Sequence, residues 1–522
     1  MLDSILALSA GALLAICFPK PAYYYLVFTA LVPLIWAVKR NSSFEAFRLG
    51  FFAGCAFFSI LLWWIGPTIS TYGNLPLWAA WPVVGLLVCY LAIYPAIWSL
   101  VAAYAFKKSK TNYYSKALSL AALPALWVLL EWTRGHFLSG FPWGSLAYCL
   151  SEQASLIQSA EIWGIYGLGF LIIFINFLFF YAVELCLSKH LLKASMYLAA
   201  AVATLSIFYV WGNGKIEKVE HEQKGLTPIQ VAAIQASVPQ HLKWEPAYQE
   251  NTIEKYIKLT GQALKKMDKE RVRLVVWPET ALPFYFQEDG PFSRKVLAFA
   301  KREKILLLLG SPAYIHKGGN DVAYLNSAYL VSPEGEVVGR YDKRHLVPFG
   351  EYMPWGWVTS WAKKFLPTAG EFMPGNSAAP LCSANICIGT LICFESIFPN
   401  LAAESTATGS NILAVITNDA WFGNTGAPYQ HEAMAIFRAV ENRRWLVRAA
   451  NTGISSIISP WGQRIAESRL FEPAWIAGEA RLCHHVTFYA RYGPGWFLSA
   501  CLLIVIMFFL TSGFEIKRSK AT

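Results

Sequence analysis

The sequence predicts a multispan α-helical membrane bundle of about eight spans joined to an α/β domain, and three observations predict it. Only 15% of the 522 residues are charged, where a typical soluble chain carries about 25%. Hydrophobic residues make up 55% of the chain and the mean hydropathy is +0.38. Its 21 Trp, 25 Tyr and 34 Phe are side chains of the kind that collect at bilayer interfaces. The apolar excess is also segregated. It fills the N-terminal part and the extreme C-terminus, while residues 213–490 read as a soluble pattern.

Apolar runs that approach the length needed to cross about 30 Å of hydrocarbon lie at 4–18, 22–38, 46–66, 77–106, 117–132, 163–187, 194–211 and 495–512. The first is read as a span rather than a cleaved signal, because it lacks a basic leader and further spans follow at once. The net charge of +11 sits in short loops between these runs. Lys39 and Arg40, Lys107, Lys108 and Lys110, Lys189 and Lys193, and Lys517, Arg518 and Lys520 are the clusters. Alternate loops such as Pro67–Pro76 are nearly free of basic residues. That alternation fits a topology signal better than a nucleic-acid-binding patch. It puts both termini in the cytoplasm, about seven spans before residue 212, and the soluble region on the opposite side. The expected domains are a bundle at 1–211, a linker at 212–227, a soluble domain at 228–490, and a final span with its tail at 491–522. Glu131, Arg134 and Glu184 near span ends are read as interfacial or paired charges.

In the soluble region, short apolar runs at Ile229–Ile234, Val272–Val276, Ile305–Gly310, Ala328–Val331, Ile386–Ile392 and Ile412–Ile416 read as buried strands. Helical patterns at Ala247–Lys269, Phe292–Glu303 and Ala433–Arg444 alternate with them, which favours helices layered on sheet. The 10 cysteines form no CxxC pair, so no structural metal is expected. Cys17, Cys55, Cys89, Cys186 and Cys501 fall in apolar runs, whereas Cys382, Cys387, Cys393 and Cys483 fall in the polar region.

Three motifs carry candidate chemistry. The strand Val275–Trp277 ends at Pro278 and is followed directly by Glu279. A basic stretch, Gly339–His345, carries Lys343 into the turn Pro348–Phe349–Gly350–Glu351–Tyr352. The apolar strand Ile388–Ile392 delivers Cys393 to a turn that continues with Phe394 and Glu395. Alone, each has an ordinary reading: a solvated carboxylate, a loop lysine with little role in packing, a buried thiol at a strand end. Together, and in this order, they resemble the Glu-Lys-Cys triad of the nitrilase superfamily, which implies an αββα sandwich. A free thiol is mostly protonated at neutral pH, so Glu279 is expected to serve as general base. Lys343 would favour the thiolate and, with backbone N–H groups near Phe394, stabilise the oxyanion. Cys393 would then carry the acyl group as a thioester. Glu351 is expected to orient Lys343 or the base, and Glu395 to support them. A fourth motif, Thr417–Gly423 with the helix ending at Arg443, is read as architectural, with Trp421 and Phe422 lining the pocket.

The triad domain preceded by membrane spans resembles the apolipoprotein N-acyltransferase family. Gly140–Phe141–Pro142–Trp143, Val238–Pro239–Gln240–His241–Leu242–Lys243–Trp244 and His345–Leu346–Val347–Pro348–Phe349–Gly350–Glu351–Tyr352 add to the likeness. Position 394 is Phe where some family members carry Tyr, so the ring is kept without its hydroxyl. The resemblance implies ping-pong acyl transfer at the periplasmic side of the bacterial inner membrane. The donor would be a phospholipid, typically phosphatidylethanolamine. The acceptor would be the N-terminal amine of a diacylated apolipoprotein, with no metal or organic cofactor. Trp244, Tyr352 and Trp421 become candidate substrate contacts. Trp355, Trp357, Trp361 and Phe365, interrupted by Lys363 and Lys364, form an amphipathic stretch suited to an interface or a lid. The competing readings are a membrane-anchored amidase or nitrilase-type hydrolase, and a transporter or receptor with an inactive nitrilase-like domain.

Overall fold

The computed structural model describes residues 1–73, 75–108, 113–318, 321–354 and 372–518. It divides into two compact units. One comprises Met1–Pro67, Pro76–Lys215 and Tyr492–Thr522, and the other Thr68–Leu75 and Ile216–Arg491.

The first unit is helical: α1 Leu2–Ile16, α2 Val32–Arg40, α3 Ser43–Leu61, the start of α4 Ile65–Tyr72, α5 Leu77–Lys108, α6 Tyr113–Arg134, α7 Ala154–Ile157, α8 Ala160–Leu187, most of α9 Leu191–Gln223, and a C-terminal helix Gly495–Arg518. The loop at residue 42 turns the chain sharply. Lys39 and Arg40 sit in the last turn of α2, where cations favour the helix dipole, and the Ser42 hydroxyl accepts the Glu45 N–H to cap α3. Gly50 and Gly54, one turn apart on α3, permit a close crossing with α5. A Cβ at Gly50 would meet Ser99 Oγ at 2.4 Å, and one at Gly54 would meet Ala92 Cα at 2.7 Å. Small residues at this spacing let helices in lipid pack backbone to backbone.

Among the described residues, α3, α5, α8, α9 and Gly495–Ser512 make 5 helices long and apolar enough to cross a membrane, and α1 is a shorter apolar helix. This is fewer than expected from the apolar runs. The run at 22–38 shows why. It is broken into a 3-10 turn at Tyr24–Phe28 and the 9-residue α2. The broken turn is stabilised from α8, where the buried Asn176 accepts the Leu31 N–H at 2.9 Å and donates to Val27 O at 2.8 Å. An apolar composition cannot reveal such a break. Leu86, Leu192, Val210, Leu503 and Met507 point outward, a surface suited to lipid. Charges are handled locally: Glu184 pairs with Lys39, Glu131 accepts the Leu146 N–H at 3.0 Å, and Arg134 donates to Phe141 O at 3.2 Å and also to Trp143 O.

The second unit holds two six-stranded sheets. Its strands are β1 Pro228–Gln235, β2 Arg273–Val276, β3 Leu306–Gly318, β4 Asp321–Val331, β5 Val337–Asp342, β6 Leu381–Ser383, β7 Ile386–Ile392, β8 Ile412–Thr417, β9 Leu446–Ala450, β10 Ser456–Ile458, β11 Arg464–Glu467 and β12 Ala474–Arg481. One sheet runs β12-β1-β2-β3-β4-β5 and the other β11-β10-β9-β8-β7-β6. In each, the central strands pair in parallel and the outer ones antiparallel. The helices of this unit are α10 Gln240–Lys243, α11 Pro246–Leu264, α12 Pro291–Glu303, α13 Pro399–Ala407 and α14 Ala427–Asn442.

Strand alternation builds the layers. Val231, Leu274, Val276, Leu306 and Leu308 meet Ile388, Ile412, Ile416 and Val447 between the sheets. Their neighbours Val275, Trp277, Leu307 and Leu309 pack under Ile253, Tyr256, Val296 and Phe299 of α11 and α12. The result is an αββα sandwich. Across the β6–β7 hairpin, Cys382 and Cys387 stand opposite each other and form a disulfide.

One glycine is required where the first sheet meets the site. A Cβ on Gly310 of β3 would lie 2.6 Å from both Pro278 O and Thr280 N, backbone atoms that flank Glu279. Gly310→Ala should therefore push the end of β2 aside, lowering stability by about 1–3 kcal/mol and acyl transfer more than proportionately. Thermal unfolding and turnover of the purified variant check both.

Candidate active site

The site forms where strand ends from both sheets converge. Beyond β2, the Trp277 N–H still bonds Leu308 O at 2.8 Å. Pro278 then ends the pairing, and Thr280 adopts φ +48, so Glu279 lies on a sharp exit. Its side chain is nearly buried. Oε1 accepts Asn326 Nδ2 at 2.8 Å and Oε2 accepts the Asn418 N–H at 2.9 Å.

Lys343 follows β5 directly. Its backbone is fixed on both sides, with N–H to Asn326 O at 2.8 Å and its carbonyl accepting Gly375 N–H at 2.8 Å. Its ammonium, only 1% exposed, donates to Glu351 at 2.9 Å and stands 3.8 Å from Glu279 Oε1. Glu351 also accepts Asn326 Nδ2 at 2.9 Å and the Val347 N–H at 2.8 Å. Asn326 thus spans both carboxylates with one amide. The expectation that Lys343 contributes little to packing is overturned, because it is a buried counterion to two acids.

Cys393 is the first residue after β7 and takes φ +53, a left-handed conformation uncommon outside glycine. The Ser396 hydroxyl donates to its carbonyl at 2.9 Å, and His431 Nε2 lies 3.2 Å from the same oxygen. Burial, then the Glu279 charge, push the thiol above its usual value, while Lys343 pulls it down. The resting thiol is protonated and faces a carboxylate. Burial alone would lower Lys343, but Glu351 and Glu279 override it and hold the ammonium above its ordinary value. A neutral thiol, a carboxylate and a fixed cation make a base-assisted nucleophile.

Glu395 joins the parts. One oxygen accepts the N–H groups of Arg344 at 2.6 Å and His345 at 3.2 Å and the Tyr341 hydroxyl at 2.9 Å; the other accepts the Ile392 N–H at 2.7 Å. It ties the lysine loop to the cysteine turn. Burial raises its carboxyl, opposed by these N–H donors and by Lys343.

The aromatic candidates lie at varied depth. Phe394 is half-buried, its ring 5.2 Å from Phe398 and 5.9 Å from His345. Trp244 is 52% exposed and Trp421 is 38% exposed. Trp421 is placed by Tyr72, ring to ring at 4.5 Å, and by Thr68, whose hydroxyl donates to its carbonyl at 2.8 Å. Tyr352 is half-buried and closes its turn by accepting the Phe349 N–H at 2.8 Å. Trp355, Trp357, Trp361, Lys363, Lys364 and Phe365 lie outside the described residues.

Sequence reasoning missed Asn326, hidden within a strand, and a charge cluster behind Cys393. Fully buried Asp419 binds Arg448 at 2.5 Å and faces His431 at 3.1 Å, and His431 reaches Ser396 Oγ at 2.8 Å. Burial would raise the Asp419 carboxyl, yet Arg448 and His431 hold it down at about 2. Burial and Arg448 lower His431, so it remains neutral.

A cysteine on a left-handed turn, a glutamate and a buried lysine on an αββα sandwich are the arrangement of a carbon-nitrogen hydrolase domain, here in a chain that also carries a bundle of apolar helices. The carbon-nitrogen hydrolase family model matches residues 230–479, and that of the apolipoprotein N-acyltransferase N-terminal domain matches residues 10–178. An apolipoprotein N-acyltransferase from Geobacter metallireducens is 41% identical, over 94% of this chain and 92% of its own length. Those of Methylococcus capsulatus (32%; 96% and 94% covered) and Chlorobaculum tepidum (30%; 93% and 92% covered) are similar over the same extent. The chain belongs to the apolipoprotein N-acyltransferase family.

Lys343→Met leaves two carboxylates buried without their cation and should cost about 3–5 kcal/mol. Adding Glu351→Gln should recover part of the thermal stability but none of the acyl transfer, which separates the two roles of the lysine. The Asp419 carboxyl is depressed on folding. Its contribution is therefore present above the unfolded value of about 4 and is lost as pH falls toward about 2. Asp419→Asn should be less stable at neutral pH and show a shallower loss on acidification, as read by thermal melting across an acid series.

Proposed function

We propose that the chain N-acylates diacylated apolipoproteins through a thioester on Cys393, using a membrane phospholipid such as phosphatidylethanolamine as donor. The observation that carries this reading is the shared network of Glu279, Lys343 and Glu351 beside a thiol on a left-handed turn, in a chain related along nearly its whole length to named acyltransferases. In the first half-reaction Glu279 takes the Cys393 proton as sulfur attacks the sn-1 ester carbonyl. Lys343 and the Phe394 N–H receive the developing oxyanion. The ester C–O bond breaks, the proton passes from Glu279 to the leaving alkoxide, and lysophospholipid departs. In the second, the α-amine of the S-diacylglyceryl-cysteine attacks the thioester, Glu279 takes its proton, and the thiol is regenerated as the amide forms.

Phe394, Trp244, Tyr352 and Trp421 supply aromatic surface for acyl chains in this reading, and Glu351 and Glu395 hold the lysine. We place the catalytic domain in the periplasm, with both termini cytoplasmic. Two features support that side: basic residues in alternate loops, and the Cys382–Cys387 disulfide, a bond that persists in oxidising compartments. A lipid donor also accounts for the membrane bundle, which a hydrolase of small amides does not need.

Incubating the purified protein with phosphatidylethanolamine alone should add one acyl group to Cys393, detectable by mass spectrometry of the cysteine peptide. Cys393→Ala should lose both the adduct and N-acylation of a diacylated lipopeptide. Lipopeptide acylation by the alanine variant would sink the mechanism.

A further inference from the structure

The triad and Glu351 leave a charge imbalance. Glu351 and Glu279 both face the Lys343 ammonium, at 2.9 and 3.8 Å, so two carboxylates surround one cation. A second cation touches Glu279 at its backbone. Lys243 is 1% exposed, and its Nζ donates to the Glu279 carbonyl at 3.1 Å.

The chain is built to deliver this lysine. After β1, Ser237 takes φ +51 and gives its N–H to Asn451 O at 2.9 Å. The Asn451 side chain then brackets Val238, accepting its N–H at 3.0 Å and donating to its carbonyl at 2.8 Å. Pro239 begins α10. At the start of α10, Gln240 Oε1 accepts Asn418 Nδ2 at 2.7 Å, and Asn418 is the residue whose backbone N–H holds Glu279 Oε2. At its end stands Lys243. One turn of helix therefore grips Glu279 twice, through Asn418 at the carboxylate and through Lys243 at the backbone.

We propose that Lys243 is a positioning residue for acyl transfer, whose buried ammonium fixes the Glu279 exit and supplies the second positive charge that makes the two-lysine, two-carboxylate cluster neutral. The inference rests on the acyl-enzyme reading above. Moving the thiol proton to Glu279 leaves the total unchanged, so neutrality persists through formation of the thiolate. The groups around the cluster come from several strand ends: Glu279 after β2, Lys343 and Glu351 after β5, Cys393 and Glu395 after β7, and Asp419 after β8, the last paired with Arg448. Burial raises the Glu395 carboxyl, whose oxygens accept the Arg344, His345 and Ile392 N–H groups and the Tyr341 hydroxyl.

Burial pulls the Lys243 ammonium down, and Glu279 and Cys393 pull it partly back, leaving it at about 8. Below that value the lysine is charged and the cluster neutral. Above it the amine is neutral, one carboxylate is uncompensated, and a thiolate is harder to form. Acylation should therefore fall as pH rises through about 8.

The test uses the full chain in detergent micelles containing phosphatidylethanolamine, with the rate of acyl-adduct formation on Cys393 followed across pH. The parent protein should slow on the alkaline side. Lys243→Arg keeps a cation that does not titrate in this range; it should retain adduct formation and lose the alkaline fall. Lys243→Met should be about tenfold slower at neutral pH and also lack the fall. Equal slowing of both variants with the alkaline fall intact would make Lys243 a packing residue and overturn the proposal, as would a Met variant that matches the parent. Absence of any Cys393 adduct in the parent at every pH would overturn the acyl-enzyme reading as well, which separates the two failures.

Discussion

The ion pair between Lys343 and Glu351, with Glu279 as second neighbour, is the interaction on which the rest of the site depends. A lysine removed from water stays charged only where carboxylates compensate for the lost hydration. Those carboxylates are in turn held by Asn326, which bonds both, and by the backbone N–H groups of Val347 and Asn418. The cation is held in place by the protein itself, so in the proposed reaction no reorganisation would be needed when an oxyanion develops beside it.

The two sheets make this arrangement possible because each contributes what the other lacks. The first delivers Glu279 from β2, Asn326 from β4 and Lys343 from β5. The second delivers Cys393 from β7 and Asn418 from β8. The interior between the sheets is aliphatic, which keeps the framework rigid and leaves the polar groups at the strand ends. Behind the cysteine, Asp419, His431 and Arg448 form a compensated buried cluster that supports the carbonyl of a residue with strained φ.

Much of this was legible in the sequence, and the parts that were not share physical causes. Glu279 and Cys393 stood out because each follows an apolar run that ends abruptly, and Lys343 because a basic stretch runs into a Pro-Gly turn. Asn326 did not, because it lies in β4 just before the apolar run Ala328–Val331, with nothing in the sequence to mark it. The strand β9 carries Arg448 within Leu446–Ala450, and a buried arginine disguises a strand until its partner Asp419 is placed. The membrane region misled in the opposite way. The run at 22–38 is apolar enough to suggest a continuous span, but Asn176 stabilises a break in it. Hydropathy records what the surroundings accept and says nothing of backbone continuity.

Glu395 has a mechanical meaning beyond its hydrogen bonds. One oxygen grips the N–H groups just after Lys343, and the other grips the residue just before Cys393. Cys393 and Lys343 are therefore tied together through one side chain, although they follow strands of different sheets. In the proposed reaction a donor with two acyl chains and an acceptor with a peptide attached differ greatly in shape, and room for each would come from the surrounding aromatic side chains and loops. On the proposed mechanism the reacting atoms would meet the same fixed geometry twice, so a single cradle would serve both the loading and the unloading of the acyl group.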